Sequence, residues 1–131
     1  MKTHILHRIA AILAFIIGGM AVFAGTKVVV LHIPVDYYVI DWLPVYNLLM
    51  GLVTVFITAV LLWKDSRWGF VLAVLTLLAH ATVLVVLRTA YREVVAPDSI
   101  RAMTIRIVTW IIIVALLAVR PRRESNASGA A

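Results

Sequence analysis

Few side chains in this chain of 131 residues can do chemistry, and those few sit where chemistry is costly. Asn47, His80, Arg106 and Thr109 all fall inside or beside long apolar stretches. Polar and ionisable groups at membrane depth are expensive, turn toward the protein interior, and often mark a site. Two arrangements suit them. In the first, His80 hydrogen-bonds Asn47 or Thr109 while Arg106 snorkels outward along its aliphatic stem. In the second, Asn47, His80, Arg106 and Thr109 form one intramembrane ligand-binding layer. A soft-metal reading would join Met20 and Met50 to His80, since thioether and imidazole suit Cu(I). Methionine is also an ordinary core filler, so these three are weak metal candidates and no metal is expected. A bis-histidine haem is disfavoured because His4, His7 and His32 lie near the ends of the first apolar run, leaving His80 without a second imidazole at its depth. No cofactor is expected.

A second set of residues forms a rim. Arg88 and Arg92 are one helical turn apart beside Tyr91, and Arg101 and Arg106 flank the start of the last apolar run. Positive charge is disfavoured in translocated segments, so an arginine excess there needs a cause. The guanidinium fork fits carboxylate and phosphate. Arg88, Arg92 and Arg101 therefore read as a rim for an anionic lipid, an anionic substrate or the acidic loop of a partner. The plainer alternative pairs them with Asp36, Asp41, Glu93 and Asp98 of the same face, in weak surface ion pairs.

Several chemistries are excluded or disfavoured. There are no cysteines, which removes disulfides, thiol redox, iron–sulfur clusters and cysteine-ligated zinc. No Asp or Glu falls within an apolar run, which disfavours proton-coupled transport through a carboxylate. No serine–histidine–acid set lies within the runs, so a hydrolase has no visible machinery. The role expected is a non-enzymatic accessory or ligand-binding subunit; the alternatives are a redox or small-molecule-handling protein binding haem, quinone or copper around His80, and a small transporter acting as a dimer. The net charge of +6 does not point to nucleic acid, because the cations flank apolar runs and read as topology and headgroup signals.

The elements that must position these residues are membrane helices. Hydrophobic residues make up 64% of the chain and charged residues 14%, and the mean hydropathy is +1.08. A water-soluble domain averages about 45–50% apolar. Four runs stand out: Ile9 to Leu31, Trp42 to Trp63, Trp68 to Leu87 and Ile100 to Val119. A spanning helix needs about 20 such residues, so spans are expected at about 9–31, 42–63, 68–92 and 99–119. The last is anomalous, since its unbroken apolar part is only Ile107 to Val119 and the span must include Arg106. Trp42, Trp63, Trp68, Tyr37, Tyr38 and Tyr46 lie near run ends, where amphipathic rings favour the headgroup zone. Lys64-Asp65-Ser66-Arg67 is a tight turn that predicts a hairpin. Pro97 closes one helix and Asp98 or Ser99 can cap the next. At ~1.5 Å rise per residue from the inner boundaries, Met20, Met50, His80 and Arg106 all lie ~16–20 Å deep.

The fold class expected is an all-α integral membrane protein: an antiparallel four-helix transmembrane bundle spanning 1–123, with both termini inside and a disordered tail at 124–131. With the N-terminus inside, seven Lys and Arg face the cytoplasm and five the outside, the asymmetry that orients helices. The lipid bilayer is the first partner, in a plasma membrane of bacterial or archaeal type. Cleavage of residues 1–24 as a signal peptide is the rival reading; it is disfavoured because the apolar stretch is long and soon resumes at Val28. Small residues at four-residue spacing, Ala14 and Gly18 and then Ala21 and Gly25, allow close helix approach. They serve either packing within the chain or a homodimer or larger complex through the first helix. On the last helix Ser99, Met103, Arg106 and Trp110 share one face, expected inward, with Ile105, Ile112 and Leu116 toward lipid.

Overall fold

The computed structural model describes residues 2–35 and 38–119. Its regular structure among these residues is all helical, with no strand. Helix α1 is Lys2–Val29. Helix α2 is Leu43–Trp63, with a π-helical turn at Thr54–Thr58. Helix α3 is Arg67–Thr89 and α4 is Pro97–Ala118. Each is long and apolar enough to cross a membrane. The expected tail at 124–131, with Arg120, Arg122 and Arg123 before it, lies outside the described residues, as do Asp36 and Tyr37.

Several boundaries differ from the sequence expectation for local reasons. Helix α1 starts well before Ile9, because nothing in Lys2 to Arg8 breaks a helix and His4 and His7 find a partner in Asp65. Helix α3 stops at Thr89, short of residue 92. Its last backbone bonds widen from Ala90 N–H to the Val86 carbonyl into a second bond from Tyr91 to the same oxygen. Arg92 therefore sits in the following turn. Pro97 does not close a helix; it opens α4 at the first helical position, where its missing N–H costs nothing. Ala96 takes the cap position without a side-chain bond, and Asp98 lies in the first turn, where its charge suits the helix dipole. At the α2–α3 turn Ser66 caps α3 by accepting from the Trp68 N–H at 3.3 Å.

Gly18 and Gly51 set the α1–α2 contact. A β-carbon on Gly51 would lie 2.8 Å from the Gly18 carbonyl oxygen and 2.8 Å from the Val22 nitrogen. The backbones therefore meet without side chains between them. Ala14 and Ala21 are buried in the same region, and a β-carbon on Gly25 would lie 2.7 Å from that of Leu48. Gly18 and Gly25 of the small-residue stripe Ala14, Gly18, Ala21 and Gly25 thus pack against α2 within the chain.

The apolar core is in two parts. One packs Ala10, Ala14 and Ile17 of α1 with Leu62 of α2, Ala73 of α3, and Trp110, Ile113 and Leu117 of α4. The other packs Ile40, Leu43, Leu87 and Met103. Outside them the chain exposes long apolar faces, among them Phe15, Phe23, Phe56, Leu75, Val85 and Ile111.

Candidate functional site

Between the two apolar clusters lies a polar layer. Along α4 the buried positions run Met103, Arg106, Trp110, Ile113, so Arg106 separates one cluster from the other. Its guanidinium is turned inward, with the residue only 7% exposed, and Nη1 donates to Asn47 Oδ1 at 2.5 Å. The inward face expected from Met103, Arg106 and Trp110 is observed; Ser99 at its end is half-buried. Arg106 does not snorkel. Reaching headgroups would leave the Asn47 carbonyl unmatched in the interior, and a buried acceptor left unmet costs about 1–3 kcal/mol.

His80 is 4% exposed, and its partner is neither Asn47 nor Thr109. The Tyr46 hydroxyl lies 2.7 Å from His80 Nδ1, donating or accepting according to the imidazole tautomer. Tyr46 is therefore no headgroup anchor. Its ring meets His80 edge-on at 5.7 Å between centroids, and His80 in turn lies 6.5 Å from the Trp110 ring. Toward the α3–α4 loop, Trp42 packs edge-on against Tyr46 at 6.5 Å and against Tyr91 at 5.9 Å. The Trp42 indole N–H donates to the Tyr91 hydroxyl at 3.0 Å. Five rings thus form a ladder from the loop end into the middle of the protein. Sequence reasoning missed Tyr46, Trp42 and Tyr91 as members of this layer, because their position at run ends fits the interfacial reading equally well. The signal was the four-residue spacing of Trp42 and Tyr46, which puts both on one face of α2.

Not every residue assigned to the layer joins it. Thr109 donates its hydroxyl to the Ile105 carbonyl of its own helix at 2.8 Å, the usual bond of a threonine facing away from a polar partner. Met20 is 58% exposed and lies on the outer face of α1, in a shallow groove with Phe15, Ile16, Gly19 and Phe23. Equal depth along the helices did not bring it round to His80; the azimuth differs. Met50, by contrast, lines a small void with Asn47, His80, Arg106, Gly18 and Thr54. The three weak metal candidates therefore do not converge. The void measures about 10 Å³, the scale of a single water. Deeper along α2, Thr58 Oγ1 is buried with no hydrogen-bond partner among the described residues.

The rim arginines Arg88, Arg92 and Arg101 are all exposed. Arg92 lies 3.8 Å from Glu93, itself exposed, and among the described residues Arg88 and Arg101 make no ion pair. Arg101 borders an open groove of about 450 Å³ with Val95, Pro97, Ile100, Thr104 and Ile105. At the opposite end, Asp65 adopts a left-handed backbone (φ 59°). It faces two imidazoles, His4 Nδ1 in close contact and His7 Nδ1 at 3.5 Å. Arg8 stacks over the Trp63 ring at 4.9 Å. The cluster was not anticipated, since His4 and His7 carried no sequence mark beyond their spacing. It ties the first turns of α1 to the α2–α3 turn. No family model, curated protein or solved structure matches this chain.

Proposed function

We propose that this chain is a four-span integral membrane protein with antiparallel helices and both termini in the cytoplasm. It acts without catalysis, as an accessory or ligand-binding subunit that recognises an anionic lipid or the acidic segment of a partner at its outer arginine rim. The antiparallel reading is supported by the pairing of Gly25 with Leu48 near one end of α1 and of Arg8 with Trp63 near the other, and by the short turn between Trp63 and Arg67. The observation that carries the functional reading is Arg101 at the mouth of an apolar groove, with Arg88 and Arg92 exposed at the same end of α3. A cation beside an apolar trough fits an amphiphile with an anionic head. The interior is the weaker place for a ligand, because the void beside His80 admits about one water.

The orientation is tested with single cysteines, which the cysteine-free chain allows without background. Ser66→Cys and Asp98→Cys should label from opposite sides of the membrane with an impermeant thiol reagent. Labelling from one side would refute the antiparallel four-span arrangement. The rim is tested by native mass spectrometry of the detergent-solubilised chain titrated with phosphatidylglycerol or phosphatidylcholine. Replacing Arg88, Arg92 and Arg101 by Gln should lower the amount of bound phosphatidylglycerol and leave phosphatidylcholine unchanged. Undiminished phosphatidylglycerol binding would sink the lipid form of the reading.

A further inference from the structure

The threonines of α2, α3 and α4 are of two kinds. Thr76, Thr82, Thr89, Thr104 and Thr109 each donate the hydroxyl to the carbonyl four residues back, the ordinary bond of a helical threonine. Thr54 and Thr58, which bound the π-helical turn of α2, do not. Thr58 Oγ1 has no partner among the described residues. The Thr54 hydroxyl makes no hydrogen bond among them either, although the residue is only 2% exposed. Of the two, Thr54 lines the void beside Asn47, His80 and Arg106, and Thr58 does not. The Thr54 methyl packs on α1, 2.7 Å from where a β-carbon on Gly18 would stand. A wide helical turn of this kind recurs at functional positions in α-helices. His80 presents a second unmet atom at the same void. Its Nδ1 meets the Tyr46 hydroxyl, and Nε2 has no hydrogen-bond partner among the described residues. A buried hydroxyl and a buried imidazole nitrogen are both costly to leave unmet.

We propose that this void is a binding site for one water molecule, which accepts from His80 Nε2–H and donates to Thr54 Oγ1. The void measures about 10 Å³, which holds one water, and a buried water needs two to four polar partners. The charge of Arg106 on the same wall decides how the water is turned. Its oxygen lone pairs face the guanidinium and the imidazole N–H, and its protons point away, one of them to Thr54. The site then fixes the imidazole, because the bond at one ring nitrogen sets the proton on the other. Nε2 carries the proton, Nδ1 is bare, and the Tyr46 hydroxyl is the donor. The water thus joins α3 to α2 a second time, beside the Arg106–Asn47 bond from α4 to α2. The site is independent of the arginine rim.

The test is NMR of the full chain with isotope-labelled histidine in phosphatidylcholine nanodiscs. His80 is identified among the four histidines as the signal lost in His80→Gln. In the native chain its proton should sit on Nε2, and that proton should show a cross-peak to a bound water. Thr54→Val keeps a methyl against Gly18 and removes the hydroxyl; the water cross-peak should be lost while the Tyr46–His80 bond remains. Thr54→Ser keeps the hydroxyl and should retain the cross-peak. Replacing gluconate by chloride in the buffer should leave the His80 signals unmoved. A proton on Nδ1, or a native spectrum without the water cross-peak, would overturn the proposal, and neither reading needs a change at Thr54. A cross-peak left at full strength in Thr54→Val would also overturn it. A chloride-dependent shift of the His80 signals would overturn it in favour of an anion beside Arg106.

Discussion

Replacement of Arg106 by lysine and by leucine separates a structural strut from a headgroup anchor. In the structure Arg106 is buried and its Nη1 donates to Asn47 Oδ1 at 2.5 Å across the α2–α4 contact. A hydrogen bond from a charged donor is worth about 1.5–3 kcal/mol net. Interhelical bonds in lipid run lower, averaging about 0.6 and reaching about 1.7 kcal/mol, because helices unfolded in the membrane also find partners. The charge and the burial put this bond at the top of that range. Lysine keeps the charge and loses the fork, so Arg106→Lys should cost about 1–2 kcal/mol. Leucine removes the burial cost of the cation but strands the Asn47 carbonyl, so Arg106→Leu should be no more stable than the native chain. A double-mutant cycle with Asn47→Leu should return a coupling of about 1.5 kcal/mol. The assay is reversible unfolding in mixed detergent micelles followed by tryptophan fluorescence, with Trp110 next to the layer as a native reporter. A native-like Arg106→Lys, a stabilised Arg106→Leu and a coupling below about 0.3 kcal/mol would together refute the inward strut.

Two further pairs of variants test the packing. Gly51→Ala places a β-carbon 2.8 Å from backbone atoms of α1, which cannot rotate away, and should cost about 1–3 kcal/mol as an overpacked contact. Gly19→Ala meets nothing within 4 Å and should be neutral or raise stability by up to about 1 kcal/mol through helix propensity; the same micelle titration reads both. Tyr46→Phe removes the hydroxyl that meets the buried His80 Nδ1 and should cost about 1 kcal/mol. Tyr91→Phe removes an acceptor from Trp42 in a half-buried position near the loop end, where water substitutes, and should cost less than about half as much.

Hydropathy made the four helices legible, since each apolar run is long and separated from the next by a charged turn or a proline. Depth along a helix was legible too: His80, Asn47, Met50 and Arg106 do share one layer. What depth does not give is azimuth. Met20 has the right height and points outward, and Thr109 lies near the layer yet bonds back to its own helix. Azimuth depends on which faces pair, and in α1 the outward residues Phe15, Ile16 and Met20 are as apolar as the inward Ile17, so hydrophobicity alone cannot choose. The glycines choose instead, because only Gly18, Gly25 and Gly51 permit the α1–α2 approach. The π-helical turn at Thr54–Thr58 left no sequence signal. The tie between Asp65 and the two histidines was hidden for another reason: it depends on α1 starting earlier than its apolar run.

These features explain why a polar layer divides the core. In water an apolar core fixes helix register because a slipped helix exposes hydrocarbon. In lipid that restraint is gone, since the surrounding chains are as apolar as leucine and burial drives association weakly. Register must come from contacts that a slipped helix cannot reproduce. Three such contacts occur here: the close backbone approach at Gly18 and Gly51; around the same void, the directed bonds Arg106–Asn47 and Tyr46–His80; and, at one end of the fold, the Asp65 clasp on His4 and His7. A slip of α2 by one turn, about 5.4 Å, would break all three. Arg106 is thus more than a cost tolerated by α4. It bonds α4 to Asn47 of α2 at the layer where His80 of α3 meets Tyr46 of α2, and in doing so it fixes the height of α4 against its neighbours.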